Sequence, residues 1–184
     1  MADFWQNPNL EPKRSYKFVL SIPGSSTALP KFLVKKVKKP SFSVSETSHN
    51  YLNHTFHFPG KVKWEEVSFT IADVIGPDDG TAALMKMFKE MGYDLPSATN
   101  NETISKSKST AALGGVIIDQ IDSDGNIVES WKLNNAWIKN AAFGELSYES
   151  EEMLNVDVTL SYDNASYKAG RGALQDGNLG NISR

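Results

Sequence analysis

All three histidines of the chain fall in one stretch, HNYLNHTFHFPG (residues 49–60), together with four large apolar side chains. Imidazoles gathered this closely could hold a zinc ion, provided that their rings converge with defined spacing. Strand geometry argues that they do not. If residues 51–58 are extended, Leu52, His54, Phe56 and Phe58 share one face, and Tyr51, Asn53, Thr55 and His57 take the other. His54 and His57 then point apart. His49 and His57 have the same parity, but a single strand would hold them roughly 26 Å from one another. A helix would bring His54 and His57 together, yet Thr55, Phe56 and Pro59 disfavour one. No metal or other cofactor is expected.

The remaining chemistry-bearing residues are no better organised. DSDGN (122–126) has acids and a glycine, but the glycine stands fourth rather than sixth, no glutamate follows at the twelfth position, and both flanks read as strands. It is expected to be a hairpin turn. KFLVKKVKK (31–39) carries five lysines, yet the net charge of −3 and the alternation with Phe32, Val34 and Val37 point to a strand with a solvated or partner-facing side. Glu65-Glu66 and Glu151-Glu152 are neighbours, so on a strand each pair splits between opposite faces. Cysteine is absent, which removes thiolate catalysis and disulfides. No GxSxG, HExxH, P-loop or GxGxxG occurs, and an enzyme is not expected.

The elements that would position these residues are mostly strands. Alternation is clear in YKFVLSI (16–22), FLVKKVKKP (32–40) running on into SFSVS, VSFTI (67–71), VIIDQI (116–121), IVESWKL (127–133) and NVDVTLSY (155–162). AWIKNAAFGELSYES (136–150) adds two more extended pieces. Val62 and Trp64 have the opposite parity to Val67, Phe69 and Ile71, which requires a bulge or bend at Glu65-Glu66. One helix is expected over 80–94, with a stripe of Leu84, Met85, Phe88 and Met91, caps at Asp78-Asp79 and a stop at Gly92. Residues 95–112 read as a long polar loop. The fold class is mainly β: an antiparallel sandwich or barrel with one flanking helix. One domain is expected over 1–165, followed by a flexible or partner-ordered tail at 166–184. The N-terminus has no secretory-signal pattern, and no apolar run approaches the roughly 20 residues of a membrane span, so no membrane anchor and a cytoplasmic product are expected.

This leaves YLNHTFHF as a strand that is apolar on both faces. A monomer avoids such a strand at a sheet edge because it templates association. Its simplest use is as an arm, at about 47–60 and ending in a Pro-Gly turn, that packs against another copy.

The order of motifs resembles that of the tail tube proteins of contractile-tailed bacteriophages, and of the similar tubes of type VI secretion systems. The shared features are R-x-Y-x-F-x-x-x-I (14–22), then T-x-x-x-Y-L-N-H, F-P-G and W-x-x-V-x-x-T-I (47–71). W-K-L-x-N-A-W-I, F-G-E-L-x-Y and V-x-V-T-L-x-Y-D follow over 131–163. The resemblance implies a structural protein of the virion tail, assembled in the host cytoplasm. Hexameric rings would stack into a hollow tube inside a contractile sheath, joined to baseplate and tail terminator proteins. DNA would pass through the lumen without specific binding. On this reading Tyr51, Leu52, His54, Phe56 and Phe58 form the inter-subunit arm, and strands around 61–74 and 135–162 help line the channel. An acidic lumen would not grip phosphates, so Glu65, Glu66, Glu129, Glu145, Glu149 and Asp157 are candidates to face it.

Three alternatives stay open at the level of sequence. One is a baseplate protein that initiates the tube. Another is a monomeric carbohydrate-binding sandwich using Trp5, Tyr51, Trp131 and Trp137. The third is an enzyme whose acids converge from separate strands.

Overall fold

Period-two alternation of apolar residues builds most of the molecule. In the computed structural model, residues 11–24, 28–94, 102–149 and 151–170 are described. The elements in order are β1 (Phe18–Ser21), a 3-10 turn (Lys31–Leu33), β2 (Val34–Val37), β3 (Ser41–Tyr51), β4 (His54–Glu65) and β5 (Val67–Ala72). Two helices follow, α1 (Gly80–Glu90) and α2 (Lys106–Leu113), and then β6 (Val116–Ile121), β7 (Ile127–Asn134), β8 (Trp137–Ala142), β9 (Asn155–Ser161) and β10 (Asn164–Ala169). The first sheet has the order β1-β6-β7-β10 and the second β2-β5-β9-β8, while β3 and β4 form a separate two-stranded ribbon. Every strand pairing is antiparallel.

The two four-stranded sheets enclose one core. Leu20, Val116, Ile118 and Leu133 come from the first, and Val67, Phe69, Ile71, Val156, Val158 and Leu160 from the second. Alternation decides which residues these are. In β9, Val156, Val158 and Leu160 are fully buried and Asp157 between them is exposed. Truncating one of these buried side chains to alanine costs about 2–4 kcal/mol, through lost transfer energy and the cavity left behind.

Helix α1 closes part of the core with Ala83, Leu84, Met87 and Met91. Asp79 caps it by accepting from the Ala82 N–H at 2.8 Å, and Gly92 ends it at a φ of +99°. The buried stripe differs from the expected one: Met87 lies inside and Met85 is exposed, because the helix turns its Ala83–Met87 side to the sheets. A second helix, α2, occupies residues expected to be loop. Ser105 caps it from the Lys108 N–H, and Ala112 and Leu113 bury its C-terminal end.

Two further expectations are corrected. β10 pairs with β7 from Asn164 to Ala169, so the ordered fold runs past the boundary placed at 165. The tail from 171 onward lies outside the described residues. Pro59-Gly60 is not a turn either; both residues lie within β4. The bend required near Glu65-Glu66 is present, since β4 ends at Glu65 and β5 begins at Val67 in a different sheet. The DSDGN hairpin is also present. There the Asp122 carboxylate accepts from the Asp124 and Asn126 N–H groups, and Gly125 takes a φ of +82°.

Candidate assembly surface

The arm is longer than the sequence suggested. β3 and β4 pair from Ser41↔Glu65 at the base to Tyr51↔His54 at the tip, and almost every residue on them is exposed. The turn at the tip is Leu52-Asn53, with Leu52 at a φ of +53°. Left-handed backbone costs a leucine about 1–2 kcal/mol, so an asparagine or glycine would be the economical choice there.

A bulge divides the arm in two. Val44 pairs with Val62 and Glu46 with Pro59, so Gly60 and Lys61 together oppose Ser45. The residue types suit this place. Proline owes no ladder hydrogen bond at a bulge, and the Lys61 N–H donates to Ser45 Oγ at 2.8 Å. A Cβ on Gly60 would meet that same Oγ at 2.4 Å.

The extra residue reverses the ribbon. At the base, Phe42, Trp64, Val44 and Val62 share one face. Trp64 fastens this end to the sandwich, its ring 5.3 Å from Phe42 and 6.1 Å from Tyr162. Beyond the bulge the apolar stripe moves to the opposite face, where Thr47, His49 and Tyr51 sit across from Phe58, Phe56 and His54. His54 packs edge-on against Phe56 at 4.7 Å. The other face of the tip is polar: Thr55 donates to Asn50 at 2.8 Å, and the His57 ring meets the Glu46 carboxylate. Phe42, Val44, Tyr51, Leu52, Phe56, Phe58 and Val62 are all exposed.

The structure therefore brings His54, Phe56 and Phe58 onto one face, as expected, and corrects three placements. Tyr51 joins that face rather than the opposite one. Leu52 stands in the turn. His49 and His57 are not a strand's length apart; the turn sets them on adjacent rungs (His49↔Phe56, Ser48↔His57) but on opposite faces. Among the described residues, no three His, Cys, Asp or Glu side chains converge on one point.

The candidate lumen acids do not form one group. Asp157 lies on the outer face of the second sheet and accepts from Thr70 Oγ1 at 2.5 Å. Glu66 sits at the bend between β4 and β5, paired with Lys139, and Glu65 accepts from Ser43 at 3.2 Å. Glu145 and Glu149 are in the loop between β8 and β9. Glu129 differs from the others in being buried within the single chain. Its carboxylate meets Lys13 on one oxygen, and on the other it accepts from Lys39 at 2.7 Å and from Trp131 Nε1 at 2.6 Å. Burial alone would raise this carboxyl, but the hydrogen bonds from Lys13, Lys39 and Trp131 outweigh it and hold the group at about 2. Lys39 also donates to Gln120 at 2.5 Å. Because Lys39 lies two residues before β3, this cluster ties the root of the arm to the first sheet.

Sequence reasoning missed this cluster, since residues 13, 39 and 129 share no local pattern. It also missed the base of the arm as a surface. The signal available was a Pro-Gly pair inside an alternating run, which marks a bulge as readily as a turn. Of the aromatic residues considered for sugar stacking, Trp131 and Trp137 pack against the core, Tyr51 is on the arm, and Trp5 lies outside the described residues.

No protein-family model matches this chain, and neither does any curated protein sequence. Solved structures do. A chain of the sheath/tube terminator of PVC, an extracellular contractile injection system, in its extended state aligns with a TM-score of 0.64 at 14% identity, covering 88% of this chain and 99% of that one. A chain of the tube-terminating cap of the anti-feeding prophage aligns at 0.63 and 13%, covering 92% and 99%. A chain of the anti-feeding prophage baseplate, 6-fold symmetrised, aligns at 0.63 and 12%, covering 87% and 97%. The likeness extends over nearly the whole of each chain, and it establishes the fold: this protein has the tail-tube-like fold.

Proposed function

We propose that this chain is a structural subunit of the tube of a contractile tail or injection apparatus. Copies form hexameric rings, the rings stack into a hollow conduit inside a sheath, and baseplate and terminator proteins close its ends. In a phage tail the conduit would carry DNA without specific binding. The observation that carries this reading is the arm. One copy leaves Phe42, Val44, Tyr51, Leu52, Phe56, Phe58 and Val62 exposed on a two-stranded ribbon that the described residues of the same chain do not cover. Isolated ribbons of this kind are marginal in water, so burial against neighbours would stabilise both fold and assembly. The tail-tube-like fold supports the same conclusion, and no enzymatic role is proposed.

A second reading is a ring that initiates or ends the tube. The similarity to chains from a cap, a terminator and a baseplate favours it. The two readings separate in one experiment, negative-stain microscopy with sizing across a concentration series. A tube subunit forms rods that lengthen with concentration, whereas an end component stops at single rings. In both cases Phe56→Asp/Phe58→Asp should leave a folded, soluble monomer and raise the concentration needed for assembly at least 100-fold. Undiminished assembly of that variant would remove the arm from the argument.

A further inference from the structure

The two outer strands of the second sheet carry opposite charge. At one edge is β2, with Lys35 and Lys36 on it, Lys31 before it, Lys38 after it, and Phe32 beside it at 74% exposure. At the other edge is β8, followed by the loop to β9, which holds Glu145, Glu149 and Glu151 around Leu146 and Tyr148. Both of those apolar side chains are almost wholly exposed. Lys31, Lys36 and Lys38, and likewise Glu145, Glu149 and Glu151, make no ion pair with any described residue. Each edge thus offers an apolar centre with a charged rim, which is the anatomy of an interface, and the two rims are complementary.

Their heights match as well. β5 runs antiparallel to both β2 and β9, so β2 and β9 point the same way. Lys35 Nζ donates to Asn155 Oδ1 at 2.7 Å, which sets the start of β2 level with the start of β9, where the acidic loop enters the sheet. The lysines before and on β2 and the acids of the loop therefore lie at the same end of the sheet on opposite edges. At the far end, the lysine of β8, Lys139, is already neutralised by Glu66. Rotation about an axis along the strands carries the β8 edge of one copy to the β2 edge of the next, with those strands antiparallel, as in the rest of the sheet.

We propose that the acidic, aromatic β8–β9 loop of one copy docks head to tail on the lysines and Phe32 at the β2 edge of the next. This deepens the ring reading above and rests on it. Such a contact is heterologous: each copy uses both edges once, so the chain of contacts must close or propagate. The charges fix partner order and speed encounter, and salt weakens both effects.

The chain has no cysteine, which makes the contact directly testable. Full-length Phe32→Cys and Tyr148→Cys proteins, mixed in equal amounts with a short bismaleimide, should give a mixed dimer at least ten times faster than either self-dimer. Raising salt to about 0.5 M should slow it severalfold. An Asp124→Cys control on the β6–β7 turn should couple to neither. Self-dimers in excess, or a mixed dimer no faster than the control, would overturn the proposal.

Charge reversal gives a second readout. Lys31→Glu/Lys36→Glu and Glu149→Lys/Glu151→Lys should each lose rings in the microscope, and an equal mixture of the two should regain them with alternating copies. If wild-type rings form normally and these variants assemble as well as wild type, the edge contact is wrong and the ring reading survives. If the mixed dimer forms but no ring is ever seen, the contact stands and the ring reading falls.

Discussion

At the scale of single residues, the most informative side chain is Glu129, a buried acid held by cations from two distant parts of the chain. Its carboxyl sits at about 2 against an ordinary 4.5, so the folded state favours the ionised form. The stabilisation is fully present above the unfolded value and is lost as pH falls from about 4.5 towards 2. Allowing for solvent around the half-exposed Lys13 and Lys39, it amounts to about 2 kcal/mol at neutral pH. The Glu129→Gln variant should be less stable than wild type by about that much at pH 7, and the gap should close as the acid titrates. Urea unfolding at pH 7, 4 and 3 would measure it. A gap constant with pH would mean that Lys13 and Lys39 do not stabilise the ionised group. The same substitution frees the root of the arm, because Lys39 loses its main partner.

At the scale of elements, the bulge decides which way the arm presents its apolar face. Side-chain period along a strand is two, so an extra residue in β4 with no partner of its own in β3 turns over every β4 residue beyond it. Inserting one threonine after Ser45, so that Gly60 and Lys61 each gain a partner, should align Phe56 and Phe58 with Val44 and Val62 on a single face. The sandwich does not depend on this, so the urea midpoint should match that of dilute wild type while assembly is lost. Rings formed by the insertion variant would show that the reversal of face is incidental. This device was only partly legible in the sequence. Strands whose alternation reports burial on one side, such as β5, β6 and β9, could be read directly, and so could the Asp-Gly hairpin and α1 with its aspartate cap. The tip turn could not, because Leu-Asn is not a turn signature and a leucine at positive φ is an exception that no local rule anticipates. Helix α2 was hidden for a different reason. KSKSTAAL has serine and threonine where an apolar stripe would be, and it is held by the Ser105 cap and by packing at Ala112 and Leu113. NASYKA, as an outer strand, buries little and so shows little periodicity. The aromatics of the arm stand out in the sequence by type; their arrangement depends on pairing with β3, which sequence distance conceals.

At the scale of the whole molecule, the proposed assembly requires that the single chain is not the stable unit. The ribbon projecting from the sandwich meets its core through Trp64, on whose ring the exposed Phe42 packs. Stability should then depend on protein concentration, since assembly binds the folded state and not the unfolded one. At a concentration 100 times the dissociation constant of a contact, mass action adds about 2.7 kcal/mol, and each kcal/mol raises the melting temperature of a domain this size by about 2–4 °C. Calorimetry from the micromolar to the near-millimolar range should accordingly show the wild-type transition climbing by about 5–10 °C. The Phe56→Asp/Phe58→Asp monomer should melt at one temperature throughout, near the dilute wild-type value, because its substitutions lie outside the core. Two results would count against an obligate assembly: a wild-type transition that does not move with concentration, or a monomeric variant that melts far below dilute wild type. The first would leave a self-sufficient monomer whose arm awaits a different chain, and the second would mean that the arm contributes to the stability of the sandwich itself.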